Sequence, residues 1–267
     1  MARMWIGTLR RWGLGALLSV TLAACGPGGL VPPTPTEPPR TGPLGLAADP
    51  LVTIGQLQAR AILTYGQNGW VHIIETVTHD LDREIFTTLP NGTPVPLDHV
   101  IETWAHITGA QVITQRVIYV RAGDGQVLET SVYDQGVAWN SSTGEREKQT
   151  DTPVGAFDRG FGASMGEYQR VGATVTQAAA TLDGIEVIEL QVDYTFDAPA
   201  QYGDYTQPVT GQRIRADFDP NGGQLRRLDW VMRLADGSER NYGRWEVTLE
   251  AGVTPPDEVL TALEVLK

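Results

Sequence analysis

Four segments in the second half of the chain decide the fold: 185–196, 213–218, 225–234 and 241–249, which read IEVIELQVDYTF, RIRADF, LRRLDWVMRL and NYGRWEVTL. Apolar and polar residues alternate in each of them; Ile188 and Leu190, for example, lie on the face opposite Glu189. Alternation with a period of two is typical of β-strands that have one buried and one solvated face. Short turns such as Asn221-Gly222 favour antiparallel pairing. These segments predict an antiparallel sheet with one dry face.

Similar patterns in the first half predict further strands over 70–78, 100–107, 111–121, 127–133 and 137–139. Helices are predicted over Val52–Tyr65 and Ser164–Leu182, and after the Thr254–Glu258 segment, whose threonine would cap the helix. Residues 140–164 are polar and predict a loop excursion. The expected fold is α+β and mostly antiparallel. It is a single, strongly curved sheet of about eight to eleven strands, an incomplete β-barrel with a few helices packed against its concave side.

The composition excludes several function classes. The chain has 267 residues, of which 41% are hydrophobic, and a formal net charge of −12. Such an acidic protein is a poor partner for nucleic acid, whose phosphates need basic side chains. Lys148 and Lys267 are the only lysines, so no polybasic patch is available for anionic lipid. With one cysteine the chain has neither an intrachain disulfide nor a cysteine zinc cluster.

The N-terminus reads as an export signal. Residues 1–24 combine an apolar stretch over 12–24 with three positive residues, Arg3, Arg10 and Arg11. The apolar stretch is too short to span a bilayer, which needs about 20 residues. Residues 1–24 therefore predict a signal peptide and an exported protein.

The only cysteine follows this segment directly, in Leu22-Ala23-Ala24-Cys25. The motif resembles the lipobox of bacterial lipoproteins. That resemblance implies that the Cys25 thiol receives a diacylglycerol, that the signal is removed, and that the mature protein is anchored by lipid at the extracytoplasmic face of the cell membrane. The alternative is a signal peptide followed by an incidental cysteine.

The next 25 residues, 26–50, contain eight prolines and five glycines. Such chains favour extended conformations and act as semi-rigid spacers. Residues 25–50 therefore predict a lipidated cysteine and a tether, and residues 51–267 a single β-rich domain.

The globular part resembles the LolA/LolB/LppX group of bacterial lipoproteins and carriers. The resemblance lies in strand order, and its best match is the C-terminal pattern: Asp217-Phe218-Asp219-Pro220, a Gly-Gly turn, Leu225–Leu234, Asp236-Gly237, Arg244–Leu249 and a terminal Pro-Pro-Asp-Glu segment. It implies an incomplete β-barrel closed by helices that binds lipid or lipidated protein inside, with no catalytic residues. This chain differs from the soluble carriers of the group in keeping its own lipid anchor.

A possible binding patch comes from two strands. Trp70 and His72 share one strand face, and Trp104 and His106 share another, so pairing of the two strands would bring all four together. Such a patch could be a polar spot in a binding site or a metal site. The alternative is ordinary half-buried strand residues, which this pattern favours.

Two further motifs are weak. Asp217-x-Asp219-x-Asn221 begins like a calcium loop, but Leu228 stands where an EF-hand has its bidentate glutamate. A hairpin turn is the favoured interpretation, with calcium left open.

Ser164 lies in a G-x-S-x-G sequence without the strand, helix and parallel sheet that the nucleophile elbow of hydrolases needs. No catalytic residue, cofactor or metal is therefore predicted.

The sequence predicts a membrane-anchored, non-catalytic lipoprotein that binds an apolar or amphiphilic ligand, a lipid or a lipidated molecule, in the concavity of the sheet. The alternative is a surface module for protein interaction or envelope sensing, without a small ligand. The sequence identifies neither the ligand nor a protein partner.

Overall fold

The fold was analysed in a computed structural model that describes residues 43–109, 112–149, 152–153 and 161–267. The predicted signal peptide, the tether up to residue 42, Cys25 and the lipobox residues Leu22, Ala23 and Ala24 lie outside the described residues. The assignment of these residues to a signal and an anchor therefore stays a prediction.

The described residues form three α-helices and fourteen strands. The helices are α1 (Pro50–Tyr65), α2 (Phe161–Arg170) and α3 (Asp257–Leu263), with short 3-10 turns at Pro43–Gly45 and Glu264–Leu266. The strands are β1 (Gly69–Thr78), β2 (Ile85–Thr88), β3 (Pro94–Pro96), β4 (His99–Ile107), β5 (Val112–Ala122), β6 (Val127–Asp134), β7 (Val137–Asn140), β8 (Arg146–Lys148), β9 (Thr152–Pro153), β10 (Thr174–Leu182), β11 (Ile185–Ala200), β12 (Val209–Phe218), β13 (Leu225–Leu234) and β14 (Glu239–Val253). No helix in this part of the chain is both long and apolar enough to cross a membrane.

Eleven strands form one continuous antiparallel sheet in the order β10-β11-β12-β13-β14-β1-β4-β5-β6-β7-β8. Strand β9 adds to β5, and β2 and β3 form a separate hairpin. The edge strands β10 and β8 do not pair with each other, so the part of the barrel that the structure describes stays open. The predicted fold class, a mostly antiparallel sheet that does not close, is confirmed.

The sheet has two faces that differ in what covers them. We call inner the face that carries Val71, Ile73 and Val77 of β1, and outer the face that carries Trp70 and His72. Since successive side chains of a strand point to opposite faces, the register of the paired strands extends both faces across the sheet.

Helices α1 and α2 cover the inner face between β10 and β14. Ile54 and Leu57 of α1 and Met165 of α2 are buried in one apolar cluster with inner-face residues such as Leu190. Helix α1 approaches the turn between β12 and β13 so closely that a Cβ on Gly223 would lie 1.9 Å from the Leu57 carbonyl oxygen. Gly223 also has a φ of +70°, which glycine adopts without strain. This half of the inner face is therefore filled by the protein's own side chains.

Part of the region assigned to the tether packs on the domain. Leu46 is 1% exposed and belongs to the same apolar cluster, and the Asp49 side chain caps α1 by accepting a hydrogen bond from the Leu51 amide. The ordered contacts of the domain thus begin a few residues before the predicted boundary at 51.

Helix α3 covers the opposite face. Val259 and Leu263 are buried against Trp104, Val117 and other outer-face residues of β4 to β7. The predicted helix is present, but its N-cap is Pro256, which has no side chain able to accept a capping hydrogen bond, rather than Thr254. Helices α1 and α2 pack on the concave side as predicted. Helix α3 instead covers the outer face of β4 to β7.

The helix predicted over Ser164–Leu182 is wrong in its second half. Helix α2 begins at Phe161 and ends at Arg170, and residues 174–182 form the edge strand β10. The three alanines of this segment, residues 178–180, favour a helix locally, but pairing with β11 satisfies the backbone and overrides that preference. The predicted excursion over 140–164 also contains ordered structure, because β8 pairs with β7 and β9 with β5.

Charged side chains cover the outer face of the C-terminal half of the sheet, β10 to β14. Asp229 is the centre of this network: its carboxylate is 3% exposed and receives Arg215, Arg244 and Arg227 at 2.5, 2.6 and 3.5 Å. A carboxylate shared by three guanidinium groups holds β12, β13 and β14 in register.

We expect Asp229→Asn to lower the free energy of unfolding by about 2 kcal/mol, because Arg244 loses its carboxylate partner, while Arg215 and Arg227 keep only Glu189 and Asp217. Urea denaturation measures the change. Glu239→Gln removes a carboxylate that is 41% exposed and pairs with Arg213, so this control is expected to cost less than about 1 kcal/mol. Equal losses in the two variants would contradict the central role of Asp229.

Candidate functional site

A cavity of about 390 Å³ lies over the half of the inner face that α1 and α2 leave uncovered. Its floor is formed by the inner-face residues of β4 to β7. Residues Phe86 and Pro90 of the β2–β3 hairpin line one part of it, and residues 143–149, which include β8, line another. A volume of this size is within the usual range for small-molecule sites.

The cavity has an apolar floor. Ile101 of β4 and Ile118 and Val120 of β5 line it, with Ala138 of β7 and Trp245 of β14. Ile101 pairs with Val120 across the strands, and both are inner-face residues. Aliphatic side chains on neighbouring strands offer a surface on which a hydrocarbon chain can lose contact with water.

A polar network forms one wall. Asn140 Nδ2 donates to Glu129 Oε1 at 2.7 Å and to Ser131 Oγ at 2.8 Å, and Ser142 Oγ donates to Glu129 Oε1 at 2.6 Å. Glu129 is 4% exposed. Both bonds to Glu129 end on Oε1, and charge-assisted hydrogen bonds of this kind offset part of the cost of burying a carboxylate. The network joins β6 to the end of β7 and the residues that follow it.

Arg116 of β5 also lines the cavity, and its surroundings are different. Its guanidinium lies 5.8 Å from the centre of the Tyr133 ring, and it makes no hydrogen bond or ion pair with any residue that the structure describes. Burial lowers the pKa of Arg116. A cation–π contact is worth about 2 kcal/mol when desolvated, whereas taking a charge out of water costs several kcal/mol. The contact with Tyr133 therefore compensates only part of the cost.

His79 lies where the cavity meets the β2–β3 hairpin. Its ring stacks on Phe86 with centroids 4.0 Å apart, and its Nδ1 bonds to the Tyr242 carbonyl oxygen. His79 Nε2 is buried and has no hydrogen-bond partner. Burial, partly opposed by the bond to Tyr242, lowers the pKa of His79 to about 4. The imidazole is therefore neutral at neutral pH.

The four residues of the predicted patch do come together. Strands β1 and β4 pair, with Trp70 opposite His106 and His72 opposite Trp104. His72 stacks on Trp104 with ring centroids 3.8 Å apart, and Trp70 lies 5.3 Å from His106.

These residues lie on the outer face, away from the cavity. Trp104 is 7% exposed, and it packs with Trp70 and Trp139 in the cluster beneath α3. Glu102 accepts hydrogen bonds from Trp104 Nε1 at 2.9 Å and from Arg121 Nε at 2.8 Å, and lies 3.1 Å from His72 Nε2. Their contacts are those of a packed wall, and a binding role for this patch stays a prediction.

The two aspartates of the calcium motif are engaged in different contacts. Asp219 Oδ1 accepts the backbone amides of Asn221 and Gly222 at 2.8 and 3.1 Å, while Asp217 lies on the outer face with Arg227 at 3.0 Å. The motif is a hairpin turn. Across the described ranges, no three His, Cys, Asp or Glu side chains are placed to share a metal ion.

Ser164 is exposed on the first turn of α2, and the large sheet beside it pairs antiparallel throughout, so the nucleophile-elbow geometry is not present there.

The sequence patterns did not point to Arg116, Glu129 or Asn140 as site residues. A signal for Arg116 was available, because it has the same parity in β5 as Ile118 and Val120 and so lies on the same face. A charged residue among the apolar, inward-facing positions of a strand is energetically unfavourable unless it has a partner.

We expect stability to fall more steeply in the wild type than in His79→Gln as the pH falls from 7 to 4. The unfolded histidine takes up a proton near pH 6.5, whereas the folded one stays neutral until about pH 4, so protonation favours the unfolded state by up to about 3 kcal/mol. Glutamine keeps a donor for the Tyr242 carbonyl but does not titrate. Urea unfolding over this pH range measures the difference, and parallel pH profiles would contradict it.

No protein-family profile matches the chain, and no curated protein matches it. Solved structures similar to it include the lipoprotein LppX of Mycobacterium tuberculosis, with 13% identity and a TM-score of 0.36 over 77% of this chain and 97% of that one. A LolA superfamily protein of Nitrosomonas europaea has 7% identity and a TM-score of 0.27 over 77% and 96% of the two chains. A β-barrel-like protein of Brucella abortus, from a domain of unknown function, has 12% identity and a TM-score of 0.20 over 70% and 100%.

Proposed function

We propose that this protein is a lipid-anchored, extracytoplasmic binding module that holds an amphiphilic ligand on the uncovered inner face of its sheet, without covalent chemistry. The observation that carries the proposal is the cavity of about 390 Å³, whose floor is apolar and which α1 and α2 leave unfilled. A sheet face with aliphatic side chains is stable in water when something apolar covers it. Ile101 and Val120 are 9% and 3% exposed, so a hydrocarbon chain would gain its contact chiefly on the partly exposed Ile118, at about 25 cal/mol for each Å² removed from water.

The mixed lining favours an amphiphile over a purely apolar molecule. Arg116 and the Glu129–Asn140–Ser142 network stand beside the apolar floor in the same cavity. A ligand with both an apolar and a polar part matches this arrangement, because each part meets groups of its own kind.

The anchor rests on the lipobox ending at Cys25. Two acyl chains give stable membrane attachment where one gives only reversible attachment. The chain is acidic, with a net charge of −12, so its surface is repelled by anionic lipid and attachment needs a covalent lipid.

The second candidate, a protein-interaction module, has less support. It would need an exposed aromatic surface, and the tryptophans Trp70, Trp104 and Trp139 pack against α3 and the C-terminal turn. Trp104 is 7% exposed, and Trp70 and Trp139 are partly buried, so little of this aromatic surface is open to a partner.

We expect Ile118→Trp to reduce ligand binding at least tenfold, because the larger ring fills the floor of the cavity. The full chain is placed in lipid nanodiscs and crosslinked with a neutral photoreactive dodecyl probe, and mass spectrometry maps the labelled peptides. Ile185→Trp is the matched control, since Ile185 is 54% exposed at the start of β11. Labels should fall on residues of β4 to β7 in the wild type and the control. Equal labelling of all three proteins, or labels elsewhere, would overturn the cavity as the binding site.

We expect Cys25→Ser to abolish incorporation of a palmitate analogue and to leave residues 1–24 attached, because no thiol is available to receive the lipid. Labelling in a bacterial host and the mass of the N-terminal peptide are the two measurements. Ser19→Ala, within the same signal, should be labelled and processed like the wild type. Lipid incorporation in Cys25→Ser would show that the anchor is elsewhere.

A further inference from the structure

Arg116 is exceptional among the arginines of the described ranges. Every other one donates to a carboxylate or to a backbone carbonyl: Arg60, Arg83, Arg121, Arg146, Arg170, Arg213, Arg215, Arg226, Arg227, Arg233, Arg240 and Arg244. Arg116 does neither and faces the aromatic ring of Tyr133. Its guanidinium is also the one that lines the cavity.

Three glutamates line the cavity, Glu129, Glu145 and Glu147, and none of them forms an ion pair with Arg116. Glu129 is four residues along β6 from Tyr133, the cross-strand partner of Arg116, which corresponds to roughly 13 Å. Glu147 lies on the same cross-strand row as Arg116, but three strand spacings away, roughly 14 Å. Glu129 is in any case occupied by Asn140 and Ser142.

We infer that Arg116 binds the anionic head group of the amphiphile, a carboxylate or a phosphate, with its hydrocarbon chain lying along Ile118 and Val120; this inference rests on the proposed function. The planar guanidinium offers parallel donors that match either oxyanion. Ile118 and Val120 follow Arg116 at every second position of β5, so head-group site and apolar track lie in one line on one face.

The inference explains why a cation is tolerated in this position. A partly buried charge without a counter-ion is unfavourable, and a bound oxyanion removes that cost while it gains charge-assisted hydrogen bonds. Neutral amphiphiles would fill the same floor but would leave the guanidinium as it is in the ligand-free protein.

The test is a competition experiment with the full chain in nanodiscs at pH 8, in which four competitors displace the neutral dodecyl probe. They are dodecanoate, dodecyl phosphate, dodecanol and dodecylammonium. In Arg116→Gln we expect the half-maximal concentration of one or both anionic competitors to rise about 10- to 100-fold relative to the wild type, and that of dodecanol to change less than about twofold. Comparing variant with wild type cancels the partition of each competitor into the bilayer. The anion with the larger change identifies the head group.

Two further variants keep the result interpretable. Arg170→Gln removes the same charge from a side chain that is 73% exposed and should behave like the wild type. Arg116→Lys keeps the charge without the planar fork and should show an intermediate loss, and circular dichroism checks that each variant is folded. If the anions and dodecanol change equally in Arg116→Gln, or if dodecylammonium binds best to the wild type, the head-group assignment is overturned while the cavity stands. If the probe does not label β4 to β7 at all, the proposed function fails with it.

Discussion

The constraint on which this structure depends is that one sheet has two faces, and the described chain has only three helices with which to cover them. Helices α1 and α2 pack on the inner face between β10 and β14, and α3 packs on the outer face between β4 and β7. Each half of the sheet thus has one face covered by a helix. The other face of each half must be stable by a different route.

On the outer face of the C-terminal half that route is ion pairing. Arginines and carboxylates alternate across β11 to β14, and Asp229 joins three of these strands through Arg215, Arg227 and Arg244. Such a face is compatible with water, because its charged groups form ion pairs with one another. The inner face of the N-terminal half has no such network over its floor, where Ile101, Ile118 and Val120 are aliphatic. An apolar face beside an open cavity is what distinguishes the N-terminal half, for which we propose binding, from the C-terminal half.

Much of the fold is predictable from the sequence because alternation is a direct consequence of strand geometry. The segments 185–196 and 225–234 follow it closely, and both are strands as expected. The segment 174–182 is misjudged because its alanines carry little information about which side is buried, and an edge strand has no second neighbour to enforce a pattern. The pairing of Trp70 with His106 was predictable, whereas the face on which the pair lies was not. That face depends on where α3 packs, and no local pattern encodes such a long-range contact.

The candidate site was harder to predict because its polar residues do not follow the apolar–polar alternation by which strands are recognised. Arg116 occupies an inner-face position in a strand in which the next two inner-face residues, Ile118 and Val120, are apolar, so a pattern search overlooks it. Arg116 stands out only in the structure, where it has no carboxylate partner among the described residues; an arginine paired with a carboxylate would suggest no binding role.

The whole chain has a formal net charge of −12, whereas Arg116 places a positive charge in the cavity. At physiological ionic strength the field of the distant carboxylates is screened within about 8 Å, whereas a contact inside a partly dry cavity is screened far less. If an anion binds as proposed, the acidic surface would govern how fast it approaches, and Arg116 would govern how tightly it is held.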